Sequence, residues 1–285
     1  MPGISQADYA VCERRALAPG CPFLVSRRFV SSDFADQLLA MRAFFSMVRS
    51  IPAEVSEPSV GVLKLAWLQR EMRGEALRIT QHPVVRAMRD SGALQAMDED
   101  SLERYFVNVK DFMCTDTYQD ESGLFDLAKG IGGQEALLEC GSEQGSYGDA
   151  AVTCIGAGSF LFQAIRNPRM RRCSESWWVP LNLQASFGVI RHSAGSGQED
   201  PARRDLLVAL GKLAMEWIDT GTGNLARTVP SKTRHILIHA ALERRQLVRM
   251  LSRPEKFTEQ TAASPAIGDA FLAWNTARKL NSAKS

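Results

Sequence analysis

Three observations predict an all-α fold. Apolar residues recur at three- and four-residue steps through most of the chain, as at Met41, Phe44, Phe45 and Val48, and such a stripe is one face of a helix that must be buried against others. No pair of segments shows a convincing two-residue alternation, so no sheet is read. Proline, glycine and short polar clusters interrupt the helical stretches at helix-length intervals. The 285 residues, 45% of them apolar, suffice for one large domain with a substantial core.

Residues 1–22 carry Pro2, Gly3, Pro19, Gly20 and Pro22, and read as an N-terminal extension with a short helix over 9–16. A single helical domain then spans 23–285. Segment 23–34 leads into the helix of Met41 to Val48, which Pro52 is expected to end. Ser56, Glu57 and Pro58 supply a cap, an acid near the positive helix end and an early proline, so a second helix starts there.

Further helical patterns cover 68–79, 84–89 after a break at Pro83, 100–114 with Ser101 as cap, and 124–140. The last of these contains Gly130, Gly132 and Gly133, each costing about 1 kcal/mol relative to alanine, which points to close helix packing. It is not a phosphate loop, because no strand precedes it and no Lys-Ser/Thr pair follows. A polar turn over 141–148 precedes a helix over 150–165, ended by Asn167 and Pro168. After a loop over 191–201, long helices are expected over 205–218, 231–251 and 265–280.

The totals exclude several classes. Lys and Arg number 34 against 32 Asp and Glu, a net charge of +2, so charge alone indicates neither nucleic acid nor an acidic substrate. The six cysteines have no zinc-like spacing and read as reduced thiols. No apolar run is read as approaching the ~18 residues of a membrane span. Arg14, Arg15, Arg27 and Arg28 among several serines hint at a mitochondrial presequence, interrupted by Asp8 and Glu13.

The wording at 40–67 is more specific than its periodicity. Ala40, Met41, Arg42, Ala43 and Phe44, continued by 55–58 and by 61–67 ending in Trp67, resemble the squalene/phytoene synthase family. A second block agrees: a helix, a basic turn with Arg169, Arg171 and Arg172, then Trp177, Trp178, Val179, Pro180 and Leu181, then Phe187, Gly188 and Val189. The resemblance implies an isoprenoid-synthase-like helical bundle. It is nearest to a branch that holds a mitochondrial complex I assembly factor and its bacterial relatives.

Catalysts of this family hold two diphosphates through magnesium ions on aspartates from facing helices, since a hard cation needs oxygen ligands. Alignment on 40–44 puts the first aspartate cluster at Arg49, Ser50 and Ala53, and the second near Asn167 and Arg171. Neither place carries an aspartate, and arginine at or beside each reverses the sign of the site. Glu54 and Glu57 lie nearby, with no acid expected opposite them.

The resemblance therefore implies a non-catalytic member, with no catalytic residue, no metal ligand and no magnesium. Its expected role is that of an assembly factor or accessory subunit of a respiratory, complex I-type, or other large mitochondrial complex. It would act through protein partners or a lipid or isoprenoid in an apolar cavity, without spanning the membrane. A bacterial protein peripheral to the inner membrane is the other expected location.

Two alternatives stay open. One is a prenyl transferase with an atypical site. The other is a binder of phosphorylated lipid or RNA, with Arg49, Arg166, Arg169, Arg171 and Arg172 gathered at the cavity mouth, since arginine grips phosphate without a metal. His235 and His239 share a helix face but lack a zincin's glutamate, and read as surface or partly buried residues. Ser26, Ser46 and Ser159 sit on no nucleophile elbow. The five tryptophans, Trp67, Trp177, Trp178, Trp217 and Trp274, read as packing residues.

Overall fold

In the computed structural model the described residues are 3–18, 20–141, 146–166, 178–189, 201–225, 231–256 and 267–282, and no strand occurs among them. The first helix, α1 (Gln6–Ala16), is capped by Ser5, whose side chain accepts the Asp8 N–H. It packs beside later helices with Cys12 fully buried, so residues ahead of position 23 contribute to the core. A short α2 (Phe23–Ser26) and a 3-10 turn (Arg27–Phe29) lead to α3 (Ser32–Glu54).

Met41, Phe44, Phe45 and Val48 of α3 are all buried, as their spacing requires. Phe45 meets Tyr105 edge to face at 5.4 Å, an arrangement that suits the opposed charges of ring face and edge. Pro52 does not end α3. Its missing N–H would have bonded the carbonyl of Val48, and the loss falls in the last turn, where only Ala53 and Glu54 follow before Val55 turns extended.

The next helices are α4 (Pro58–Glu71), α5 (Gly74–Ile79), α6 (Pro83–Asp90), α7 (Ala93–Ala96) and α8 (Glu99–Cys114). Proline stands at the first turn of α4 and of α6, where its absent N–H costs nothing. No side chain caps α4, so Ser56 does not serve there. The cap of α8 is Asp98, which accepts the Ser101 N–H at 2.8 Å, placing Ser101 inside the helix rather than at its head.

A helix-length stretch follows as α9 (Glu121–Ala128), a π turn (Lys129–Gly133) and α10 (Gln134–Cys140). The expected close packing is found here. A Cβ on Gly132 would collide with the carbonyl oxygen of Gly156 in α11 (Ser146–Arg166). On its other side α11 meets α13 (Pro201–Asn224), where a Cβ on Gly158 would stand 2.7 Å from the Ala214 carbonyl and one on Gly221 2.6 Å from that of Ala151. Between them in the chain lies α12 (Leu181–Ser186).

By length and composition Gly148–Arg166 is long and apolar enough to cross a membrane, which corrects the reading that no run approaches that length. Its small residues hid the run from inspection. Here it is the central helix, gripped through glycines on two sides. The long α14 (Ser231–Leu251) and the last helix, α15 (Ile267–Ser282), complete the bundle and share a small separate core of Val25, Ile238, Leu242 and Ala273.

Candidate functional site

A cavity of about 620 Å³ opens between α1, α3, α10, α11 and α14. Helix α3 contributes Arg42, Phe45, Arg49 and Ala53, positions three or four apart that share one face. Across from it, α10 contributes Glu135 and Glu139, and α14 contributes His239 and Glu243, again at four-residue spacing. Ile155, Phe160 and Phe162 of α11 and Ile236 of α14 supply apolar surface.

Each arginine of α3 reaches across to a carboxylate of α10. Arg42 Nε and Nη2 donate to the two oxygens of Glu139 at 2.8 and 2.9 Å, a bidentate pair. Its Nη1 donates to His239 Nε2 at 2.9 Å and its Nη2 to His235 Nε2 at 3.2 Å, while the guanidinium lies 4.5 Å above the Phe23 ring. Arg49 Nε stands 3.3 Å from Glu135 Oε1, and its Nη1 donates to Gln163 Oε1 at 2.5 Å. Tyr105 O–H donates to the same Glu135 oxygen at 3.0 Å.

The network continues to α14. Ser159 Oγ donates to Glu243 Oε1 at 2.8 Å, and Gln163 Nε2 donates to Ser159 at 3.2 Å. Burial pushes Glu243 up, yet His239, Ser159 and Arg42 outweigh it and hold the carboxyl below its usual range. Burial dominates at Glu135, raising it against the pull of Arg49. Burial and then Arg42 lower both histidines, His235 strongly. His239 Nε2 stands between Arg42 Nη1 at 2.9 Å and Glu243 Oε1 at 3.2 Å, and its Nδ1 lies 3.3 Å from Ser26 Oγ, so the ring links the arginine, the carboxylate and the hydroxyl.

His235 and His239 are thus core residues, 0% and 4% exposed, where a surface or partly buried position was expected. Their helix spacing was visible in the sequence; the buried arginine that recruits them comes from another helix. Glu243, one turn beyond His239 on the same face, extends that pattern and was missed. Ser26, His239 and Glu243 stand in the order of a hydrolytic triad, but Ser26 is fully buried off the cavity and cannot meet a substrate.

Of the arginines expected at the mouth, Arg49 and Arg166 line this cavity, and Arg169, Arg171 and Arg172 lie outside the described residues. Neither lining arginine is idle: Arg49 serves Glu135 and Gln163, and Arg166 donates to Gln246 Oε1 at 2.9 Å. The exposed Arg14 and Arg15, from the last turn of α1, also line the cavity and have no partner among the described residues. They were not singled out as ligands because the segment read as an extension.

The donor set of the described residues does not fit magnesium; the second expected motif, near Asn167 and Arg171, lies outside them. The first-motif positions place a guanidinium, a hydroxyl and a methyl on the wall. Acids do face that wall, contrary to expectation, yet Glu135 and Glu139 are committed to Arg49 and Arg42. Glu54 lines the cavity, whereas Glu57 is the exposed N-cap of α4. No group of three or more candidate metal ligands occurs among the described residues.

The comparisons with known proteins agree with the fold. A family model described as squalene/phytoene synthase matches residues 20–267. Among solved structures, a dehydrosqualene synthase in complex with ligand is similar with TM-score 0.72 and 15% identity, over 97% of this chain and 98% of that one. The squalene synthase HpnC from Alicyclobacillus acidocaldarius is similar with TM-score 0.65 and 15% identity, over 87% of this chain and 95% of its own. No curated protein matches in sequence.

Proposed function

The chain belongs to the squalene/phytoene synthase family, and from that premise we propose that it is a non-catalytic member acting through contacts. One observation carries this reading: the wall expected to hold magnesium ligands presents Arg49, Ser50 and Ala53, and the facing carboxylates are already neutralised by arginines. A diphosphate ionised by a metal needs anionic oxygen on both sides of that ion. The two solved synthases do not weigh against this, since likeness at 15% identity concerns fold alone.

The role we propose is assembly factor or accessory subunit of a respiratory, complex I-type, or other large mitochondrial complex, with no magnesium in the mechanism. Mitochondrial location is part of the proposal, with a bacterial inner-membrane periphery as its counterpart. Arginine–carboxylate links join α3 to α10, and a histidine–carboxylate contact joins α10 to α14, bracing the cavity walls in a way that suits a contact surface.

Two measurements test it. Purified chain incubated with farnesyl diphosphate and magnesium gives no product, and affinity purification from its source recovers it with a large complex. Product that vanishes with EDTA and with Glu54→Ala overturns the reading in favour of an atypical transferase. A second reading rests on Arg14 and Arg15, exposed at the cavity and unpartnered: they suit a phosphate-bearing lipid whose apolar part enters among Phe45, Phe160 and Phe162. RNA contact at the same rim is its weaker form.

A further inference from the structure

The last helix is built with two unlike faces. Inward, Ala273 is fully buried and Leu272, Ala277 and Leu280 pack on the small core with Val25, Ile238 and Leu242. Asp269, 3% exposed, is held by Arg245 at 3.2 Å and Arg249 at 3.1 Å, and Arg245 Nη1 also donates to the Gly268 carbonyl at 2.6 Å. These ties fix the rotation of α15 on α14. What it turns outward is therefore set by the fold and not by fraying.

The outward stripe is Ile267, Phe271 and Trp274, which are 93%, 63% and 48% exposed at helical spacing. Ala270 fills the face between them, and Arg278 and Lys279 close it at the C-terminal end. The Phe271 and Trp274 rings lie 5.8 Å apart, and the Arg278 guanidinium stands 5.3 Å over Trp274. The only acid of the described helix, Asp269, is buried and held by two arginines on the other side, so no acid of this helix lies on its exposed face.

We propose that α15 is a membrane-surface contact, seating Ile267, Phe271 and Trp274 at the headgroup boundary of an anionic bilayer with Arg278 toward the phosphates. Aromatic side chains favour that boundary because one edge remains wet while the body leaves water. Cations next to such a stripe gain from the negative surface potential of anionic lipid. A convex helix with one apolar stripe matches a planar surface, and its acid-free face is complementary to lipid phosphate. This contact stands apart from the cavity and does not depend on what the cavity does.

Sedimentation of the full chain with extruded vesicles tests it. Binding is expected to phosphatidylglycerol/phosphatidylcholine vesicles, with at least a tenfold weaker partition to phosphatidylcholine alone and after added salt. The double variant Phe271→Ser/Trp274→Ser is expected to lose at least tenfold on the anionic vesicles while keeping the wild-type circular dichroism. Arg278→Glu, which leaves the apolar stripe intact, should lose at least about fivefold. Equal partition of wild type and these variants, or no vesicle binding by wild type, overturns the proposal. So does a wild-type dimer in sedimentation velocity that Phe271→Ser/Trp274→Ser abolishes, because the stripe would then be covered by a second copy.

Discussion

Arg42 organises the buried polar residues. Helix α3 places it among apolar neighbours, and burial opposes its charge, but Glu139 more than offsets this and raises its affinity for the proton. Burial and that charge disfavour protonation of His235 and His239, which gives stability a pH dependence of definite sign. Above about pH 6.5 the histidines are neutral in both folded and unfolded chains and contribute no slope. As pH falls below that value the unfolded chain takes up protons the folded one refuses, so stability drops until the lowered folded-state pKa values are reached. Between pH 7.5 and 5.5 the expected loss is at most about 1.4 kcal/mol in total for each histidine, nearly all of it below pH 6.5, read from urea midpoints. His235→Gln, with no proton to refuse, should flatten the slope; an unchanged slope would refute this account.

Among the elements, α11 shows how glycine placement sets helix separation. Its Gly156 faces the π turn and its Gly158 faces α13, so backbone meets backbone on two sides. Gly156→Ala drives a Cβ into the Gly132 carbonyl, which cannot rotate away, and it should destabilise by about 1–3 kcal/mol. Gly223→Ala in α13 meets nothing within 4 Å and should stabilise by about 0.4–1 kcal/mol through the unfolded chain. Thermal denaturation of the two variants checks the contrast. The glycine-rich run was legible as close packing, since three glycines in one helix need a reason. Its partner was not, because only the assembled bundle brings residue 156 against residue 132.

For the molecule as a whole, α1 decides how the cavity is walled. It is clamped to α6 by Asp8, which accepts from Arg86 Nη2 at 2.6 Å and Nε at 3.0 Å, and Arg86 holds this carboxyl below its usual range. Asp8 is 3% exposed, so Asp8→Ala removes a bidentate partner and the link to the cap at Ser5. Hydrogen exchange over 6–16 should then quicken at least tenfold, with a global loss of about 1–3 kcal/mol. Arg14 and Arg15 reach the cavity because α1 is packed against α3 and clamped to α6, and no local motif announced it. Trp67 and Trp274, 42% and 48% exposed, show the same limit: apolar identity predicted burial, while Trp178 and Trp217 alone among the described tryptophans are buried.

Helix content, the buried stripe of α3, the close-packed glycine run and the absence of aspartates at the two expected motif positions were properties of the sequence by itself. Each depends on residue identity and near-neighbour spacing, which the chain carries wherever it folds. The partners of Arg42 and Arg49, the burial of His235 and His239, the role of α1 as a cavity wall and the outward face of α15 were decided only in the tertiary structure. These depend on which distant segments share a dry interior, where a charge must find its counter-charge and a carbonyl its neighbour on another helix.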